Sequence, residues 1–164
     1  MSSKVFRKIV MEKLTETLKG RHFKKRGNVF SFSNGDLTYF IGLQSSQSST
    51  ADLLKVTVNT EIASALISEL DDISIPVKHQ RHYSRRIGSY SDDRQDKWWT
   101  IDSPESAAIS AQEMVDIIVD KVIPNFEALK TTNDLATLWR TGGYIGITEG
   151  ERKNYLNLVD NSGK

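Results

Sequence analysis

The run NVFSFSNGDLTYFIGLQ (residues 28–44) carries the clearest structural signal in the chain. Two segments rich in aromatic and β-branched residues flank Ser33-Asn34-Gly35-Asp36. Asn-Gly is favoured where both residues of a tight hairpin turn need positive φ. Val29, Phe30 and Phe32 mark the first strand, and Leu37, Tyr39, Ile41 and Leu43 alternate along the second. A period of two places those four on one face, so the pattern predicts an antiparallel sheet with one buried side.

Upstream, Phe6, Ile9, Val10, Leu14 and Leu18 recur at helical spacing, with Lys4, Arg7, Lys8, Glu12 and Lys13 on the other side. Ser3 is the expected cap of this helix and Gly20 its expected left-handed stop. RHFKKRG (residues 21–27) follows, with cationic side chains around Phe23. Such a segment reads as a phosphate-contacting patch. The amphipathic helix before it and the balanced overall charge favour a solvated connection anchored by Phe23.

Downstream, SSQSST (residues 45–50) is a polar loop, and Leu54, Val56 and Val58 alternate along a third strand. Residues 61–70 either extend that strand or form a short helix on Ile62, Leu66 and Leu70. The segment HQRHYSRRIGSYSDDRQDKWWTI (residues 79–101) gathers two of the three histidines and a Trp-Trp pair among arginines and aspartates. HYSRRIGSY and KWWTI read as strands joined by a polar insert, with Gly88 ending or bending the first, which predicts antiparallel neighbours.

From Ser103-Pro104 onward the pattern is helical. Ser103 caps a long helix bearing Ala107, Ala111, Met114, Val115, Ile118 and Val122, and Pro124 interrupts or kinks it. Asn133 or Asp134 caps a shorter helix through Trp139, stopped at Gly142-Gly143. Thr148 and Glu151 have capping-box spacing before a last one. The expected fold is therefore α+β: an N-terminal helix, an antiparallel sheet of four to six strands, and C-terminal helices packed on one face.

The amphipathic first helix, HFKKRGNVFSF, IGLQSSQSS, KVTVNT, RHYSRRIG and DKWW occur in an order that resembles the bacterial domain-of-unknown-function 4304 family. The resemblance spans residues 4–130 and implies a single α+β domain, with residues 131–164 a helical extension. It implies no reaction. Where the family pattern has a tryptophan–arginine pair before Arg-Ile-Gly, this chain has His82-Tyr83 and Arg85-Arg86.

Composition narrows the function. With 164 residues the chain is long enough to bury a proper core in one domain. A formal charge of +1 sets up no global field toward nucleic acid or anionic membrane. The absence of cysteine excludes disulfides, thiolate nucleophiles and cysteine-based zinc sites. MSSKVFRKIVMEKL carries charges every few residues, and no apolar run approaches the ~20 residues that span a bilayer. A cytoplasmic protein without membrane association is expected.

His79, His82 and the nearby Asp92, Asp93 and Asp96 supply the residue types of a metal site. Strand residues three apart face opposite ways, however, so no metal and no cofactor is expected. His82 with one of those aspartates also has the makings of a general base for Ser84, Ser89 or Ser91, as in a small hydrolase. Gly-x-Ser-x-Gly is absent. Arg85 and Arg86, and likewise Trp98 and Trp99, alternate across a strand. One arginine is expected to pair with a carboxylate, Asp96 being the candidate, and one tryptophan to join the core. The leading expectation is a non-enzymatic protein-binding module, an adaptor or an immunity-type inhibitor. Its expected surface is built from His82, Arg85, Arg86, Trp98 and Trp99. The alternative partner is nucleic acid, contacted through basic clusters 21–26 and 81–86 with Tyr83 or a tryptophan stacking.

Overall fold

A computed structural model describes residues 2–71, 80–142 and 146–162. The chain begins with α1 (Ser3–Lys19) and continues through β1 (Lys24–Arg26), β2 (Val29–Asn34), β3 (Leu37–Ser45) and β4 (Leu54–Ser64). After α2 (Ala65–Leu70) come β5 (Tyr83–Arg86) and β6 (Trp99–Ile101). Among the described residues, four helices close the fold: α3 (Pro104–Ile117), α4 (Ile123–Ala128), α5 (Thr132–Thr141) and α6 (Glu149–Asn161). The six strands among the described residues form one antiparallel sheet in the order β1-β2-β3-β4-β5, with β6 also on β4. The α+β expectation, with an N-terminal helix, an antiparallel sheet and C-terminal helices, therefore holds.

The sheet has two unlike rows. On β4, Leu54, Val56, Val58, Thr60, Ile62 and Ser64 all point inward and are buried. The outward row of Lys55, Asn59, Glu61 and Ala63 is half-buried, and Thr57 alone on that row is buried. On β3, Leu37, Tyr39, Ile41 and Leu43 are the buried row. Alternation of this kind is what a sheet with one face on the core produces. α1 and α3 pack side by side over the inward face, and Phe126 of α4 meets Tyr39 with ring centroids 4.9 Å apart. The core runs from Phe6 and Leu14 through Trp99 and Met114 to Trp139 and Tyr155. Among the described residues, no helix is long and apolar enough to cross a membrane.

Several local expectations are corrected. The hairpin loop is Gly35-Asp36, because Asn34 still pairs with Leu37 and only Gly35 takes positive φ (63°). Asp36 is instead held by its surroundings: its carbonyl accepts from the Ala65 amide, and its carboxylate accepts from the Thr132 hydroxyl. Residues 61–70 do both things proposed for them, with Ser64 ending β4 and capping α2 through the Ile67 amide at 3.1 Å. β5 and β6 are not neighbours of each other. Both pair with β4, β5 along Asn59–Ile62 and β6 along Leu54–Val56. β4 spans 11 residues, enough to hold two short strands end to end on one edge while residues 87–98 detour between them. Pro124 breaks no helix. A π-turn over residues 118–122 absorbs it, with the Ile123 amide reaching the Ile118 carbonyl, so α3 runs on into α4. Thr131 caps α5, whereas Asn133 and Asp134 lie inside it.

The end of α1 also differs from expectation. Gly20 stays right-handed at φ −64°, and Ser2, at the cap position, makes no side-chain bond. The chain leaves the helix at His22, with φ 70°. The His22 amide bonds to the Lys19 carbonyl and the Phe23 amide to the Leu18 carbonyl, which is a Schellman closure with buried Phe23 as its hydrophobic contact. A side chain in that left-handed position is strained, by about 1–2 kcal/mol. His22→Gly should thus raise stability by about 0.5–1 kcal/mol after the cost in glycine entropy. Urea denaturation of the two proteins measures it.

Candidate functional site

The outward row of the sheet carries an ordered strip of aromatic and charged side chains. Trp99 pairs with Val56 and sits on the inward face, 5% exposed, its indole N–H donating to Glu113 at 2.7 Å. Trp98 therefore lies on the outward side and is half-buried. Its indole N–H donates to Asp96 Oδ2 at 3.0 Å. The same oxygen accepts from Arg86 Nη1 at 2.9 Å, and Arg86 Nε reaches Asn59 Oδ1 at 3.3 Å. Arg86 and Lys55 stand 5.3 Å and 5.8 Å from the Trp98 ring, a cation on each flank. Asn59 in turn donates to Gln44 at 2.7 Å. Arg86 is thus the arginine that pairs with Asp96. Exposed pairs contribute about 0–1 kcal/mol to stability, so the bridge matters for holding one arrangement of Trp98 rather than for the fold.

Farther along the same row, the Arg81 guanidinium lies 3.7 Å from the centroid of Phe40 and 3.8 Å from Glu61. Burial raises the pKa of Glu61, and Arg81 opposes that shift. Beside them is a shallow groove of about 180 Å³ between Thr38, Phe40, Ala63, Ser68 and Arg81. A large aromatic among the threonine and glycine of β3's outward row marks this end. The sequence signal for it is Phe40 itself, out of phase with the apolar alternation of Leu37, Tyr39, Ile41 and Leu43.

The other residues expected on this surface sit elsewhere. Arg85 lies over the Tyr90 ring at 3.8 Å and donates to the Ser89 hydroxyl at 2.8 Å and carbonyl at 2.9 Å. It fixes the turn after β5. His82 is 0% exposed, and it and Trp99 do not belong to any surface. His82 Nδ1 accepts the Ser64 amide at 2.8 Å, and its ring meets Tyr155 edge-on at 5.0 Å. Nε2 then carries the hydrogen and is buried with no hydrogen-bond partner among the described residues. Burial, reinforced by Arg81, pushes the His82 pKa down to about 4, with Glu151 opposing.

This placement also separates the groups of the hydrolase reading. Asp96 serves Arg86 and Trp98, and Asp93 accepts the Gln95 amide. Asp92, Asp93 and Asp96 are exposed, whereas His82 is enclosed by Ser64 and Tyr155. The Ser64 hydroxyl exchanges its bond with Thr132 at 2.6 Å and does not face the imidazole nitrogen. His79 lies outside the described residues. Among the described residues, no group of three or more histidines and carboxylates is placed to hold a metal ion. The two basic clusters are not brought together either. Residues 24–26 form one edge strand and residues 83–86 lie at the opposite edge, with β2, β3 and β4 between them, roughly 19 Å across.

The family described as Domain of unknown function (DUF4304) matches residues 14–128, which contain every residue of the Trp98 strip. No curated protein and no solved structure matches the chain.

Proposed function

We propose, from the premise that this chain belongs to the DUF4304 family, that it is a non-enzymatic protein-binding module acting through the outward face of its sheet. An adaptor or an immunity-type inhibitor working in the cytoplasm fits this reading. The observation that carries it is the setting of Trp98. A half-exposed tryptophan is locked by Asp96 and flanked by Arg86 and Lys55. Tryptophan and arginine dominate interface hot spots, and side chains already fixed lose little entropy on binding. Lys55, Arg81 and Arg86 outnumber Glu61 and Asp96 around the strip, so the partner presents carboxylates around an apolar or aromatic anchor.

Nucleic acid is the weaker alternative, because its two basic clusters lie on opposite edges and Arg81, Arg85 and Arg86 already have partners. It would require an affinity that falls steeply with salt.

Capture from lysate of the source cells with tagged protein tests the module. Trp98→Ala and Arg86→Ala should each weaken the bound protein by about 30-fold, near 2 kcal/mol. Ile109→Ala is the control, since Ile109 is 63% exposed on α3 across the molecule. A partner held equally by all four proteins would remove this face from consideration. Trp99→Ala is unsuitable, because it empties the core.

A further inference from the structure

On the other side of the sheet, where β2 and β3 reach past the ends of α1 and α4, lies a half-open pocket of about 370 Å³. Its floor is aromatic. Phe23, Phe32, Tyr39 and Phe126 follow one another with ring centroids 5.7, 6.1 and 4.9 Å apart. Phe32 is on the inward row of an outer strand, where apolar side chains are normally covered, yet it remains half-buried. The Tyr39 hydroxyl is consumed by the Leu129 carbonyl at 2.6 Å, so the floor offers no phenolic donor. Burial, with Asp134 and Asp36 adding to it, pushes the Tyr39 pKa up to about 12.

The rim has a different character. Arg21 and Lys130 are exposed there beside His22, with Glu127 as the one carboxylate. Neither cation forms an ion pair among the described residues. The Schellman closure of α1 puts Arg21 at the mouth while it sends Phe23 into the floor. Pockets for small organic molecules are of this size, mainly apolar, with a few polar groups that set orientation.

We infer that this pocket binds a small planar organic anion, an aromatic carboxylate or sulfonate, with its ring on Phe32 and Phe126 and its charge toward Arg21 and Lys130. The site is distinct from the Trp98 strip on the opposite face, and it stands whether or not that strip binds a protein.

Titration of the full chain with 2-naphthoate, 2-naphthalenemethanol and 2-naphthylmethylammonium, followed by calorimetry and by amide chemical shifts, tests it. Naphthoate should bind once and saturably, and about tenfold or more tighter than the ammonium compound. The shifts should cluster at residues 20–23, 32–34 and 123–130. Arg21→Glu with Lys130→Glu, both at exposed positions, should reverse the preference in protein whose circular dichroism shows it folded. No saturable binding of naphthoate up to about 1 mM would overturn the inference. Equal binding of anion and cation, or shifts centred elsewhere, would do the same.

Discussion

Acidification from about pH 6.5 to about pH 4 should remove roughly 3 kcal/mol of stability through His82 alone. In the unfolded chain this histidine takes up a proton near pH 6.5, whereas in the folded chain it does so only near pH 4. Between those values the unfolded state binds more protons, so stability is complete above the upper value and is lost as the pH falls toward the lower one. The structural cause is specific. Nδ1 is occupied as the acceptor of the Ser64 amide, and a second ring proton would have to displace that bond. The groups around the ring are Arg81, which resists the added charge, and Glu151 and Tyr155 of α6. His82→Asn keeps an acceptor for Ser64 and discards the titration. That variant should be less stable at neutral pH, but its stability should fall far less between these values. Urea denaturation midpoints of both proteins across this range provide the comparison. Parallel pH curves would show that His82 titrates normally.

Gly88→Ala should cost about 3 kcal/mol and disorder the Trp98 strip with it. A Cβ at position 88 would run into the Gln95 carbonyl oxygen and stand 2.6 Å from the Lys97 amide nitrogen. Both obstacles are backbone, which cannot rotate away. Residues 95–97 are caught between Gly88 and β4, where the Thr57 hydroxyl donates to the Lys97 carbonyl at 2.6 Å. Asp96, which orients Arg86 and Trp98, lies within that segment. The glycine therefore links the turn after β5 to the geometry of the candidate interface. Gly20→Ala offers the contrast, since its added Cβ would lie 3.6 Å from the nearest atom on a right-handed backbone. That change should be neutral or mildly stabilising. Unfolding midpoints and the fluorescence anisotropy of the tryptophans separate the two outcomes.

The legible parts of this protein were those set by local pattern. Alternation on β3 and β4 predicted the sheet and its buried face, and Ser103, Thr148 and Glu151 predicted their helix starts through short-range capping. What stayed hidden depended on distant partners. Nothing in RHYSRRIG or DKWW says that their strands share one edge of β4 rather than each other, because the length of β4 settles it. Alternation showed that one tryptophan of the pair is buried; only the register of Trp99 on Val56 says which. His82 looked reactive amid arginines and aspartates, yet its role comes from Ser64 and from Tyr155, 73 positions further along. Gly20 looked like the helix stop because glycine best tolerates positive φ. The chain instead placed that conformation at His22, which lets Phe23 reach the core. The pocket was legible only in pieces, as the solvated loop anchored by Phe23 and the strand residue Phe32, whose inward side comes from its pairing with Tyr39.

The outward sheet face as an interface is the central claim, and site-specific photocrosslinking tests it most directly. Benzoylphenylalanine would replace Thr100, exposed beside Trp98 on the outward side of β6, in one protein and Ile109, on the opposite side, in another, each expressed in the source cells. A discrete crosslinked protein at position 100, absent at position 109 and lost when Arg86→Ala is added, is the predicted result. The same crosslinks from both positions, or none from position 100 while the protein is folded, would contradict it.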